Sequence, residues 1–321
     1  MKAIVYDKYG SPDVLSLKDI DKPVVDVDSV LVRVHAASVN ALDWHLLRGL
    51  PYLARLGEGL RKPTRKVPGV DVAGHVEAVG KNVTQFRPGD EVFGTRGGAF
   101  AEYVRGTEHN FAMKPANLTF EQAAAVPVAG ITALQGLRDK GQIQPEQKIL
   151  INGAAGGVGT FAVQLAKAFG GVVTGVCSTR NLDMVRSIGA DHVIDYTRED
   201  FTRSGARYDL MLDVAANRSL PDCRRVLEPN GILVMVGPGA GNWIGPVTRI
   251  LRAVVLSRFG SQRMLPFLSQ NSSEDLLVLT KLIEGGKLTP VIARRYPLSE
   301  VPDAIRYLEK GHAEGKVVIT L

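Results

Sequence analysis

The seven residues Gly153-Ala154-Ala155-Gly156-Gly157-Val158-Gly159 could cradle a pyrophosphate. They follow the apolar run Lys148–Asn152 and open a helical segment, residues 160–169, that leads to a second apolar run, Val172–Cys177. Strand, glycine-rich loop, helix and strand in that order make a dinucleotide-binding βαβ unit. Gly156 lets the backbone approach the phosphates and Gly159 lets the helix pack closely on the sheet, while Ala154 stands where such loops usually have their first glycine. The backbone N–H groups of Ala155, Gly156, Gly157 and Val158, at the positive end of the helix dipole, are the expected phosphate donors. The second run ends in Ser178-Thr179-Arg180, with no acid among them. An Asp or Glu there, about 20 residues past the glycines, would accept from the adenosine ribose of NAD and repel a 2′-phosphate. A hydroxyl at Ser178 and a guanidinium at Arg180 donate to that phosphate instead, so the expected cofactor is NADP(H).

At 321 residues the chain has room for two domains with cores of their own. Its 45% hydrophobic and 22% charged residues are those of an ordinary globular protein. No apolar run reaches the length of a membrane span, and the first ten residues read as a strand rather than a signal peptide; a cytoplasmic enzyme is expected. Cys177 and Cys223 are too few for a disulfide framework or a four-cysteine zinc site and read as buried small hydrophobes. A formal charge of +6 and a pI near 9.3 leave one alternative of another class, a nucleotide-fold protein that binds nucleic acid with little turnover. No RNA-binding motif with interleaved aromatics supports it, and an anionic cofactor accounts for part of the charge.

The N-terminal third alternates short apolar runs, at residues 30–34, 76–79 and 91–94, with turns such as Arg87-Pro88-Gly89-Asp90. That rhythm predicts a small antiparallel β-barrel. From about Glu121 it changes. Helical segments at 121–125 and 132–140 lead into the glycine-rich unit, and strands recur at 192–195, 208–214, 232–236 and 264–268 with helices between them. Such alternation predicts a doubly wound parallel sheet. Val214 and Gly237, closing the fourth and fifth of its strands, fall where the ligand crevice of an open α/β sheet lies. The last run, residues 316–321, is a strand with no helix after it and is expected to return to the first domain.

In order and spacing, Ser38-Val39-Asn40-Ala41-Leu42-Asp43, Gly69-Val70-Asp71-Val72-Ala73-Gly74, Arg87-Pro88-Gly89-Asp90-Glu91-Val92, the loop from Ala154 to Gly159 and Gly315-Lys316-Val317-Val318 resemble the medium-chain dehydrogenase/reductase superfamily, and within it the zinc-free NADPH:quinone oxidoreductase branch. The resemblance spans nearly the whole chain. It implies an α/β protein with a GroES-like β-barrel catalytic domain, residues 1–120 plus 295–321, and an inserted Rossmann NADPH-binding domain, residues 121–294, with the active cleft between them. It also implies a homodimer that pairs edge strands. Residues 259–270 are the candidate edge, an internal strand being the other reading. Where zinc-binding relatives carry a Cys this chain has Asn40, their His-Glu pair is Val70-Asp71, and their cysteine-rich lobe is missing. Zinc takes thiolate and imidazole, so no metal is expected.

By the same resemblance the Asn40 amide reaches the nicotinamide ribose or the substrate carbonyl, Thr132 faces the nicotinamide, and Tyr196 lies near the adenosine 2′-phosphate. An amide donates to an oxyanion without titrating, which makes Asn40 the candidate catalytic residue, against the bland reading of a turn asparagine. Asp43 reads as a helix cap rather than a catalytic acid. His35, His45, His75, His109, His192 and His312 are scattered with no i, i+4 ligand pair, and only His45, just past the Asn40 motif, is a candidate for substrate contact. The basic residues 61–66 read as a solvated loop or a flap over the cleft. Residues 244–259, with Arg249, Arg252 and Arg258, suit a membrane-surface helix or, by the resemblance, a wall of the substrate pocket and the dimer. The expected reaction is hydride transfer from C4 of NADPH to a quinone or to the β-carbon of an α,β-unsaturated carbonyl, and both acceptors stay open. Without a Lewis acid the protein must supply orientation and hydrogen-bond donors, which disfavours unactivated alcohols.

Overall fold

A computed structural model describes the chain except residues 53–54, 238–243, 259 and 312, and describes 244–247 by their backbone alone. A hairpin of β1 (Lys2–Val5) and β2 (Ser16–Asp19) is followed by β3 (Val30–Val39), α1 (Ala41–Arg48), the single turn α2 (Arg55–Glu58), β4 (Asp71–Val79), β5 (Glu91–Thr95), β6 (Tyr103–Gly106) and β7 (Phe111–Met113). β3 runs past the apolar stretch read from sequence. Its second half, Ala36 to Val39, is small, buried and paired along both edges, so neither face needs polar alternation. After α3 (Phe120–Ala124), α4 (Pro127–Gln135) starts earlier than the helix expected at 132–140, because Pro127 has no N–H to leave unsatisfied in a first turn. Gly136–Lys140 is a π-helical turn rather than a continuation of it.

The chain then winds through β8 (Lys148–Asn152), α5 (Gly157–Ala168), β9 (Val172–Cys177), α6 (Leu182–Ser187), β10 (His192–Asp195), β11 (Tyr208–Asp213), α7 (Leu220–Arg225), β12 (Leu227–Met235), α8 (Ile244–Arg258) and β13 (Arg263–Pro266). These six strands form one parallel sheet in the order β10-β9-β8-β11-β12-β13. The order reverses between β8 and β11, which is the switch point where such sheets bind ligands. α5 begins at Gly157, ahead of the expected Thr160. Three glycines near its start are tolerated because the strand lies so close: a Cβ on Gly159 would sit 2.0 Å from the Gly153 carbonyl oxygen. β12 starts ahead of the expected Ile232, and the turn-forming Pro229-Asn230-Gly231 sits inside it beside an irregularity in its pairing with β11. β13 is an edge strand and stops at Pro266; Leu268, expected within it, is exposed. Phe259, the start of the candidate edge segment, lies outside the described residues.

α9 (Ser273–Glu284), β14 (Ile292–Pro297), α10 (Val301–Glu309) and β15 (Lys316–Thr320) complete the first sheet. β15 pairs antiparallel with β3 and parallel with β14, giving the order β14-β15-β3-β4-β5-β7 with β6 also on β3. The final strand therefore joins the first domain's sheet. Residues 1–131 with 271–321 make one compact unit and residues 132–270 the other. Residues 121–131 and 271–294, assigned from sequence to the nucleotide-binding domain, group with the first unit: Leu279 of α9 packs over Gly130, and Asn117 donates to the Ile283 carbonyl. Cys177 and Cys223 are buried in the second unit, and burial pushes their thiols up to about 11 and about 12, which leaves them inert hydrophobes.

Candidate active site

Strand register assembles a closed polar cluster at the end of β3. Ser38 lies opposite Asp71 on β4, and Val39 opposite Val317 on β15, so Asn40 emerges between the first residues of two neighbouring strands. All four side chains are buried: Ser38 and Asp71 are 0% exposed, Lys316 2% and Asn40 7%. Asp71 Oδ2 accepts from Ser38 Oγ at 2.8 Å, from Asn40 Nδ2 at 2.8 Å and from Lys316 Nζ at 3.2 Å, and its Oδ1 accepts the Val128 N–H at 3.0 Å. Lys316 Nζ also donates to Asn40 Oδ1 at 2.5 Å and to the Val39 carbonyl at 3.4 Å. Sequence reading marked Asn40 and missed its partners. The available signal was an acid, Asp71, and a base, Lys316, each followed by three apolar residues, since buried charges come paired.

Asn40 is also the N-cap of α1, and Asp43 in the first turn accepts the Asn40 backbone N–H at 2.7 Å. Asp43 thus serves as a cap. Burial pushes its carboxyl up to about 7 against the lowering effect of that hydrogen bond, and the Asp71 charge adds to the rise. On its other side Asp43 lines a small cavity with Tyr6, Glu58 and Arg65, the last from the basic 61–66 loop. All of that loop's residues except Pro63 are exposed, the basic Arg61, Lys62, Arg65 and Lys66 among them.

Zinc does not fit these residues. Positions 40, 70 and 71 offer an amide, a valine and a carboxylate already bonded four times, and the Lys316 ammonium stands against both polar side chains. Protein purified without chelator is expected to carry far less than one zinc per chain by elemental analysis. Stoichiometric zinc together with chelator-sensitive activity would overturn that reading.

In the second unit the glycine-rich loop leaves β8 and caps α5 at Gly156. A Cβ on Gly156 would meet nothing nearer than the Gly153 carbonyl oxygen at 3.5 Å, so the approach to the backbone there is open. The first N–H groups of α5, at Gly157 and Val158, have no preceding turn to bond to. The cradle fits a pyrophosphate. Val214 and Gly237 lie together beyond β11 and β12, where a Cβ on Gly237 would come within 2.8 Å of the Val214 carbonyl oxygen. The Thr132 hydroxyl is bonded to Ser269 Oγ at 2.8 Å, in place of a bond to its own helix.

The end of β9 has a neighbour that the sequence hid. Asp195, last residue of β10, pairs in register with Cys177 and brings an acid beside Thr179. Its Oδ2 accepts from Thr179 Oγ1 at 2.5 Å and its Oδ1 from the Thr197 N–H at 3.0 Å and hydroxyl at 2.7 Å. The Thr179 hydroxyl, first among these, holds the carboxyl below its ordinary range. Tyr196 follows directly, exposed, with its N–H on the Cys177 carbonyl. Ser178 opens the short turn Thr179–Asn181 and accepts from Asn181 Nδ2 at 3.2 Å; Arg180 is exposed.

Other expectations change. His35 and His75, far apart in sequence, meet across β3 and β4 with Nε2 and Nδ1 2.9 Å apart. Among the described residues, no group of three or more His, Cys, Asp or Glu is arranged to hold a metal ion. His45 is partly buried and stacked on Trp44, its Nδ1 has no partner, and burial lowers its pKa. His109 and His192 are exposed, and His312 lies outside the described residues. Arg249 of α8 turns inward to Asp213 Oδ2 at 2.6 Å, while Arg252 and Arg258 remain exposed. No helix among the described residues is long and apolar enough to cross a membrane.

Known proteins resemble this chain in sequence and fold. Residues 26–116 match the alcohol dehydrogenase GroES-like domain, and residues 188–319 match a family model described as zinc-binding dehydrogenase. The 2-methylene-furan-3-one reductase of Solanum lycopersicum is 36% identical over 99% of this chain and 79% of its own length. The quinone oxidoreductase structure from Coxiella burnetii is 32% identical, covers 100% of this chain and 99% of that one, and has a TM-score of 0.88. The chain belongs to the medium-chain dehydrogenase/reductase superfamily, in its quinone oxidoreductase branch. To the same branch belongs the Escherichia coli quinone oxidoreductase complexed with NADPH, 25% identical over 100% of both chains with a TM-score of 0.85. The chain is therefore an oxidoreductase of a NAD(P)H-dependent family that includes quinone and alkenal/one reductases, with a GroES-like domain and a six-stranded Rossmann sheet. The words zinc-binding describe the wider family; the ligand positions differ in this member.

Proposed function

We propose that this chain reduces a quinone or an α,β-unsaturated carbonyl with NADPH and without a metal. The observation that carries the reading is the cluster around Asn40, which keeps one amide N–H unused in a buried polar setting. When bound, NADPH supplies the hydride from C4 of its nicotinamide. As hydride reaches the acceptor, negative charge grows on the carbonyl oxygen, and an N–H fixed beforehand stabilises it without reorganising. The Ala155, Gly157 and Val158 N–H groups would hold the pyrophosphate beside Gly156, whose own N–H, expected among the donors, is instead given to the Gly153 carbonyl at 3.1 Å; Ser178, Arg180 and Tyr196 would hold the 2′-phosphate, and Thr132, Val214 and Gly237 the nicotinamide end. Asp195 does not contradict NADPH: it closes β10, whereas an NAD-selecting acid closes the strand after the glycine-rich helix, here β9, and its oxygens accept from Thr179 and Thr197. The edge of β13, unpaired among the described residues, is the surface we assign to a homodimer.

A panel of quinones and enones, assayed for oxidation of NADPH with NADH in parallel, tests the reading. At least one acceptor class should turn over, faster with NADPH. No oxidation with any member of either class would sink it.

A further inference from the structure

Ser38, Asn40 and Lys316 bring between them one hydroxyl, two amide and three ammonium hydrogens. The hydroxyl goes to Asp71, the ammonium is matched by Asn40 Oδ1, Asp71 Oδ2 and the Val39 carbonyl, and one amide hydrogen goes to Asp71. A single donor remains, the second N–H of Asn40, which has no acceptor among the described residues. The amide can be placed only one way round. Turned over, it would set NH₂ against the ammonium and its carbonyl oxygen against the carboxylate.

We propose that Lys316 is a positioning residue for the reaction: its ammonium fixes the orientation of the Asn40 amide and polarises it, so that the one unused N–H is presented to the acceptor's oxygen. This rests on the role proposed above for Asn40. The ammonium itself has no hydrogen left for a substrate, so it acts through Asn40 alone. Its charge lies against the amide oxygen at 2.5 Å, and a hydrogen bond received at the oxygen strengthens donation from the nitrogen of the same amide. A fixed cation on the chain thus stands among positions 40, 70 and 71, where zinc-binding relatives keep their ligands.

The test is a double-mutant cycle on the full-length protein: wild type, Asn40→Ala, Lys316→Met and the double variant. Each is assayed for kcat and KM with p-benzoquinone, or with whichever enone the wild type turns over, and for its Kd for NADPH and its Tm. Lys316→Met should lower kcat roughly tenfold or more in the wild-type background and less than about twofold once Asn40 is alanine, with the Kd for NADPH little changed. A purely structural lysine would lower Tm and act equally in both backgrounds, which would overturn the proposal, as would an unchanged kcat in Lys316→Met. If Asn40→Ala itself keeps full kcat, the role assigned to Asn40 fails first, and that single variant shows it. Should Lys316→Met not fold, the same cycle is run with Lys316→Met/Asp71→Asn, which removes both charges together.

Discussion

Asn40→Ala is expected to lower kcat by roughly 100- to 1000-fold while changing the Kd for NADPH by less than about threefold. The size follows from losing one preorganised donor to a developing oxyanion, worth about 3–4 kcal/mol in the transition state and much less in the ground state. The structure adds two reasons to expect the upper part of that range. The amide is 7% exposed, so water cannot readily take its place, and an ammonium at 2.5 Å strengthens it. Folding is a separate matter: Lys316 and Asp71 keep each other at 3.2 Å when the amide is gone, so a small fall in Tm is compatible with a large fall in kcat. Steady-state kinetics at saturating NADPH, with the Kd from nicotinamide fluorescence, decides the point. Unchanged kcat with weaker NADPH binding would assign Asn40 to holding the cofactor.

Arg180→Ala is expected to weaken NADPH binding by roughly ten- to a hundredfold and to leave NADH nearly untouched. A hydrogen bond to a charged group contributes about 1.5–3 kcal/mol, and the 2′-phosphate is the only chemical difference between the two cofactors. Ser178→Ala should act in the same direction but less, because a hydroxyl has no charge. Both constants need one ionic strength, since salt screens an exposed guanidinium–phosphate contact. Equal affinity of the wild type for the two cofactors, or equal loss in the variant, would refute the phosphate site.

Much of this was legible in the chain because it is local. The period of β8 and β9 and the glycines between them are written within thirty-odd residues, on the scale of a βαβ unit. Where sequence and structure part, distance or close packing is the cause. Nothing near Asn40 announces Lys316, since the two meet only through the register of β3 with β15. Asp195 escaped notice because it reaches Thr179 from the next strand, and the His35–His75 pair because β3 and β4 lie side by side. The early start of α5 was masked by glycines, poor helix formers that the strand contact at Gly159 nonetheless requires.

Asn40 and Lys316 are separated by 276 residues, and the entire second unit is encoded between them. On the ribosome, the amide is made early and its ammonium partner is added only after that unit has emerged. Domains tend to fold as they appear, so a nascent chain can have a finished nucleotide-binding sheet while its buried polar cluster still lacks a member.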